Sequence, residues 1–266
     1  MLTDAGATPA ISTIPPPFAK GGVVFTASLS RYNSCVLNYL FFPQRCVGCG
    51  AFFKNYLCES CYGKIIFNET QHCPHISCGK QAIGGLTHFA CRTPYGLDGH
   101  ISLTEYSGVV KSIIEYYKRR HVRRLEETFR EIAQSYFTDG EEPFTTKGHD
   151  PLVTSVPLHW FDEKMKGFNP SEQLANIFAD ALESPSDFTV LKKIKPTHPQ
   201  KDLKKAERLH NIRGVFQVSD PARVRGKSVI IIDDIWTTGA TLRECAKVLK
   251  RAGAQNVWAI TLARGI

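Results

Sequence analysis

Apolar and polar positions along the chain follow two periods. From about residue 100, short apolar runs alternate with stretches whose apolar residues recur every three or four positions. Ile101-Ser-Leu-Thr-Glu-Tyr106 alternates like a strand. Behind Gly108, the residues Val109, Val110, Ile113, Ile114 and Tyr117 have helical spacing. A second helix is predicted over residues 122–137, with Leu125, Phe129, Ile132 and Tyr136 on one side, and residues 141–150 are a polar loop. Leu152-Val-Thr-Ser-Val156 is a second strand, followed by a helix over residues 171–182 with Ser171 as its cap. Residues 188–194 predict an edge strand. The β-branched run Val229-Ile-Ile-Ile232 has the character of a buried parallel strand that ends in Asp233 and Asp234. A polar turn, Trp236-Thr237-Thr238-Gly239, leads to a helix that begins near Thr241 and stops at Gly253, and residues 257–262 form a last strand. This alternation predicts an α/β fold, a parallel sheet with helices on both faces. Ligands of such sheets sit at the carboxyl ends of strands, where Asp233 and Asp234 fall.

The order strand, acidic pair, hydroxyl- and glycine-containing loop, helix start suits a sugar phosphate. The first N–H groups of a helix lack intrahelical partners, and the helix dipole favours an anion there. Thr237, Thr238 and Thr241 add hydroxyl donors, and Gly239 allows positive φ or close backbone approach. The carboxylates repel a phosphate and instead suit vicinal ribose hydroxyls or a divalent cation held by oxygen. An ordinary strand-to-helix turn that happens to carry two acids is the alternative.

The N-terminal part is different in kind. Of nine cysteines, eight lie between Cys35 and Cys91. Cys46, Cys49, Cys58 and Cys61 form two C-x-x-C turns eight residues apart, with Gly48 and Gly50 suited to sharp turns. Four thiolates make the closed shell of a structural zinc site. A second cluster comprises Cys73, Cys78, His88 and Cys91, with His72 and His75 as substitutes. Its spacing is irregular, so a second zinc, a partly degenerate site and cross-pairing between the clusters all stay open. Cys245, inside a helical pattern, is expected to pack in the core. The apolar patch of residues 36–43 is expected to be a short core helix. The domain reading is a disordered lead-in over residues 1–34, a cysteine-rich zinc module over 35–98 and a catalytic-type domain over 99–266.

The chain has 266 residues, room for one α/β core and a small module. No apolar stretch is long enough to span a bilayer. The first twenty residues lack the basic-then-apolar pattern of a secretory signal, so a cytoplasmic location, a reducing environment and metal-bound cysteines are expected. The formal charge of +8 permits anionic partners without naming one.

The segment from Val229 to Thr241 resembles the phosphoribosyl-pyrophosphate (PRPP) motif of type I phosphoribosyltransferases. That resemblance implies that Asp233 and Asp234 hold the ribose hydroxyls and that Thr237, Thr238, Gly239, Ala240 and Thr241 hold the 5-phosphate. Val156-Pro-Leu-His159 with Lys166-Gly-Phe-Asn169, Thr197-His-Pro-Gln200, and the run from Ala206-Glu-Arg208 through Asn211-Ile-Arg-Gly-Val-Phe216 resemble signatures of ComF-type competence proteins. The cysteine pairs fit that family too, so the resemblance covers nearly everything from Cys46 onward. Pro170 stands where the family has Gln, and Lys166 where Arg is common. The resemblance implies PRPP with Mg²⁺ as ligand, transfer of the phosphoribosyl group, and a structural zinc. It also implies a role in DNA uptake beside a helicase-like ATPase, with single-stranded DNA as a further partner. Among the basic residues of the expected hood, Lys201, Lys204, Lys205, Arg208 and Arg213, Arg208 is the catalytic candidate because it lies in the matching motif. Lys118-Arg-Arg120 is a contact for pyrophosphate or nucleic acid, or a charged helix end. His159 is a weak candidate base or a local structural residue. Three functions follow: a phosphoribosyl-transferring enzyme, a non-catalytic accessory protein for single-stranded DNA or a protein partner that uses the fold as a ligand sensor, and a regulator of nucleotide metabolism that has kept the fold and lost the activity.

Overall fold

The computed structural model describes residues 44–53, 56–120, 125–137, 151–197 and 211–265. The expected lead-in, Cys35, the 36–43 patch, the 141–150 loop and Lys201, Lys204, Lys205 and Arg208 lie outside the described residues. In chain order the elements are helix α1 (Glu59–Tyr62), strand β1 (Gly99–Glu105), helices α2 (Gly108–Arg120) and α3 (Leu125–Phe137), and strand β2 (Leu152–Ser155). Helices α4 (Trp160–Lys166) and α5 (Pro170–Ala181) follow, then strands β3 (Leu191–Lys193), β4 (Phe216–Val218) and β5 (Ser228–Trp236), helix α6 (Ala240–Arg251) and strand β6 (Asn256–Arg264).

Four strands form a parallel sheet in the order β1-β6-β5-β2, and β3 pairs antiparallel with β4 in a separate two-stranded sheet. Side chains alternate across the sheet, and here both faces are dry. From β5, Ile230 and Ile232 face one core with Val110, Ile113, Leu125, Phe129, Leu174 and Phe178 of α2, α3 and α5. Val229 and Ile231 face the other with Leu242, Cys245, Ala246 and Leu249 of α6 and Leu191 and Phe216 of the small sheet. Cys245 therefore packs in the core as expected, and burial pushes its thiol pKa well up. Cys46, Leu57, Cys61 and Ile65 join the first core, so the part of the cysteine-rich segment around the first cluster packs on the same apolar face as α2.

The differences from the expected elements have local causes. Strand β5 does not end at the acidic pair: its ladder with β6 continues through Asp233 opposite Thr261, Ile235 opposite Ala263 and Trp236 opposite Arg264. The turn is therefore residues 237–239. Ser171 is not the cap of α5. Asn169 is, accepting from the Ser171 N–H at 3.1 Å, while Pro170 takes the first helical position where its missing N–H costs nothing. Helix α4 carries no apolar stripe, because Trp160, Phe161 and Met165 are all exposed. It is marked by its ends instead: the His159 ring caps it, Asp162 and Glu163 sit in its first turn, and Gly167 stops it at φ 76°. The edge strand near 188–194 shrinks to β3 and leaves the main sheet for β4.

Phe178 is fully buried and meets Phe137 edge-on at 6.1 Å. Phe178→Ala is expected to cost about 3–5 kcal/mol of unfolding free energy, measured by urea denaturation.

Candidate sugar-phosphate site and cysteine clusters

A cavity of about 530 Å³ opens at the carboxyl ends of β5 and β2. Asp233, Asp234 and residues 237–242 line one side, Val156, Pro157 and Leu158 another, and Lys118, Ser171 and Lys193 complete the polar wall. All seven residues of the expected ribose and phosphate groups therefore share one cavity: Asp233, Asp234, Thr237, Thr238, Gly239, Ala240 and Thr241.

Two neighbours hold the acidic pair. Asn169 ties α5 to the end of β2 through a hydrogen bond to the Val156 carbonyl at 3.2 Å, which brings Ser171 to the site. The Ser171 hydroxyl then donates to Asp233 Oδ1 at 2.9 Å, and the Asp234 N–H donates to the same oxygen at 3.0 Å. Lys118, near the end of α2, pairs with Asp234 at 2.7 Å. Burial works against the Lys118 ammonium, but Asp234 together with Asp233 and Tyr106 outweighs it, and the pKa is raised. Asp233 is pushed up to about 7, first by desolvation and then by the Asp234 charge, against the opposing pull of Lys118 and Ser171.

The loop after the carboxylates is built on an aromatic floor. Gly239 has φ 66°, and a Cβ there would lie 2.2 Å from the Trp236 ring, so only glycine fits. Trp236 is stacked on His100 at 3.9 Å between centroids. His100 is fully buried, donates to or accepts from Thr261 Oγ1 at 3.0 Å, and burial lowers its pKa well below the usual value. The Thr238 hydroxyl oxygen accepts from the Ala240 N–H at 3.4 Å as α6 begins. Arg243, one turn into α6, donates to the Thr238 carbonyl from one side and to the Pro74 carbonyl at 3.1 Å from the other.

Each set of four expected metal-binding residues converges. Donor atoms of Cys46, Cys49, Cys58 and Cys61 lie within 4.8 Å of one another, and so do those of Cys73, Cys78, His88 and Cys91. The sets do not cross-pair. Bonds of about 2.3 Å in a tetrahedral zinc–thiolate site put sulfurs roughly 3.8 Å apart, and Cys49 Sγ and Cys58 Sγ are 3.8 Å apart. A Cβ at Gly48 would lie 2.8 Å from Cys61 Sγ, so the turn needs glycine to close on the sulfurs. In the second set, His88 Nε2 lies 2.9 Å from the Gln81 carbonyl and Nδ1 lies 3.3 Å from Cys78 Sγ. A proton on Nε2 satisfies that carbonyl and leaves the Nδ1 lone pair for a metal. Crowded thiols split their acidities. Burial raises Cys61 to about 12, while backbone N–H groups outweigh burial and lower Cys46 to about 6. Cys91 is raised to about 11, chiefly by desolvation, and Cys78 is lowered to about 7, chiefly by the Lys80 N–H. A cation at the centre of each set would remove that conflict, and both clusters can hold zinc.

Of the remaining expectations, His159 caps α4 through Nδ1, which accepts from the Phe161 N–H at 3.4 Å, and its ring is not part of the cavity lining. Arg213 is exposed and outside that lining. Ser171, Trp236 and Arg243 were not assigned to the site from sequence. Only Arg243 had a usable signal, a cation one turn into a helix that starts at a phosphate-type loop.

The raised Asp233 pKa has a stability consequence. Between the ordinary value of 3.8 and about 7 the folded chain keeps a proton that the unfolded chain has released. Stability therefore falls as pH rises through that window. Asp233→Asn is expected to remove this slope, so that its melting temperature relative to wild type is higher at pH 8 than at pH 4, measured by thermal denaturation across that range.

Residues 165–266 match the family described as the phosphoribosyl transferase domain. Competence protein F of Haemophilus influenzae is 24% identical over 230 residues, covering 84% of this chain and 98% of that protein. Competence protein ComFC of Bacillus subtilis is 30% identical over 164 residues, 61% of this chain and 63% of that protein. DNA utilization protein YhgH of Escherichia coli K12 is 33% identical over 114 residues, 41% of this chain; the match spans 48%, about half, of that relative's length. No described helix is long and apolar enough to cross a membrane. With the parallel sheet, the loop after Asp233 and Asp234, and two cysteine clusters in its N-terminal half, the chain carries a phosphoribosyl transferase domain and is similar to competence proteins F and ComFC.

Proposed function

We propose that the cavity binds PRPP and that the chain transfers its phosphoribosyl group to an acceptor. The observation that carries this is the co-location of a carboxylate pair with a threonine–glycine loop at a helix start, all lining one cavity. The 5-phosphate would sit at residues 237–241, where hydroxyls and the first N–H groups of α6 meet it. The ribose 2- and 3-hydroxyls would donate to Asp233 and Asp234, which cannot themselves receive a phosphate. Asp233 and Asp234 offer oxygen ligands of the kind Mg²⁺ takes, and Mg²⁺ bound there would supply positive charge to offset that of the leaving group. Lys118, paired with Asp234, and Lys193 in the same lining would add fixed positive charge. In the transfer, an acceptor's lone pair forms a bond to ribose C1 as the C1–O bond to pyrophosphate breaks, and pyrophosphate leaves with that electron pair. The chain's contribution is placement and charge stabilisation. Arg208 remains the candidate for a cation closing over the leaving group.

A second reading has one specific observation in its favour. Trp160 and Phe161 stand exposed on α4, which follows directly from cavity-lining Leu158. Exposed aromatics beside a phosphate site suit stacked bases of single-stranded DNA. In that reading the loop holds a phosphate of the strand, in keeping with relatives named for competence and DNA utilization, and a helicase-like ATPase would be the protein partner.

Calorimetric titration of PRPP with Mg²⁺ decides between them. Wild type should bind, and Asp233→Asn/Asp234→Asn should lose about 10- to 100-fold in affinity, the weight of hydrogen bonds to charged groups. No binding in wild type, together with salt-sensitive binding of single-stranded DNA that Trp160→Ala weakens, would replace the first reading with the second. Two zinc ions per chain are expected by elemental analysis of protein purified without chelator. Cys49→Ser/Cys58→Ser should retain one.

A further inference from the structure

Arg243 joins two parts of the molecule that the sequence keeps 169 positions apart. Its guanidinium donates to the Thr238 carbonyl in the loop and to the Pro74 carbonyl at 3.1 Å. Pro74 directly follows Cys73, a member of the second metal cluster. No carboxylate pairs with Arg243 among the described residues. The side chain also lies over Trp236 at 5.6 Å, and a Cβ at Gly239 would come within 2.7 Å of it. It is therefore wedged between the loop's floor, the loop's backbone and the metal-binding turn. The planar fork of arginine suits this two-carbonyl bridge, while a lysine ammonium would present a single point.

We propose that Arg243 is a positioning residue through which a zinc ion at Cys73, Cys78, His88 and Cys91 sets the conformation of the sugar-phosphate loop. The zinc fixes the Cys73–Cys78 turn and so the Pro74 carbonyl. That carbonyl holds one side of the guanidinium, and the other side holds Thr238. Loss of the metal frees the turn, Arg243 loses one anchor, and the loop loses its template. Coupling of this kind is reciprocal: ligand at the loop also slows release of the zinc. The functional consequence rests on the sugar-phosphate reading above, but the structural link does not.

The test uses the full chain and two readouts. Hydrogen exchange is followed in residues 236–246, which include the Arg243 N–H bonded to the Gly239 carbonyl at 3.0 Å. Ribose 5-phosphate affinity is measured by calorimetry. Removing the second zinc with Cys78→Ser/Cys91→Ser is expected to speed exchange in this segment about tenfold and to weaken ribose 5-phosphate about tenfold. Arg243→Gln should show both effects with two zinc ions still bound. Combining it with Cys78→Ser/Cys91→Ser should then change the loop no further. A merely structural arginine would lower the melting temperature and leave the loop's response to zinc intact, which would overturn the proposal. One zinc per chain in wild type, or unchanged exchange in Arg243→Gln, would overturn it as well. If the double cysteine variant does not fold, Arg243→Gln alone decides. Absence of ribose 5-phosphate binding in wild type would end the reading of the site, while the exchange measurement still decides the link.

Discussion

Two carboxylates at the end of the apolar run of β5 set the terms for the rest of this structure. Strand β5 enters the site between two dry cores, and Asp233 and Asp234 stand where that burial gives out. Adjacent like charges at such a place are unfavourable, and the fold answers with partners for both. Asp233 receives the Ser171 hydroxyl and a backbone N–H, and Asp234 receives Lys118. The compensation is incomplete, as the raised Asp233 pKa shows. Residual electrostatic strain of this sort is what a binding site for hydroxyls or a cation would leave in the unliganded protein.

The loop side of the cavity is arranged by shape more than by charge. Trp236 supplies a flat floor, stacked on a buried histidine, and Gly239 is the residue that can cross it. Arg243 then fastens the loop backbone to the cysteine-rich segment. The carboxylate end is held by α2 and α5, and the loop end by α6 and the second cluster. The site thus draws on elements from opposite faces of the sheet, which ties its geometry to the integrity of the whole compact unit.

The fold class and the central site were legible because they rest on local signals. A β-branched run ending in acids, followed by a threonine–glycine loop, announces strand, turn and helix start in consecutive residues. The C-x-x-C pairs were legible for the same reason, since each turn is local. What escaped is what depends on tertiary contact. Ser171 has the sequence appearance of a cap, but Asn169 two residues earlier takes that task and frees the serine for Asp233. Helix α4 shows no buried face, so hydrophobic periodicity was silent about it. Strand β5 extends past its apolar run because β6 is there to pair with it. Arg243 looks like any helix-surface cation until the Pro74 carbonyl is placed beside it.

The central claim is that one cavity recognises both ends of a phosphorylated ribose. A crystal structure of the protein with ribose 5-phosphate tests it most directly. The account predicts the phosphate on residues 237–241 at the start of α6 and the ribose 2- and 3-hydroxyls on Asp233 and Asp234. A sugar phosphate bound elsewhere, or bound here with its phosphate away from the loop, would contradict it.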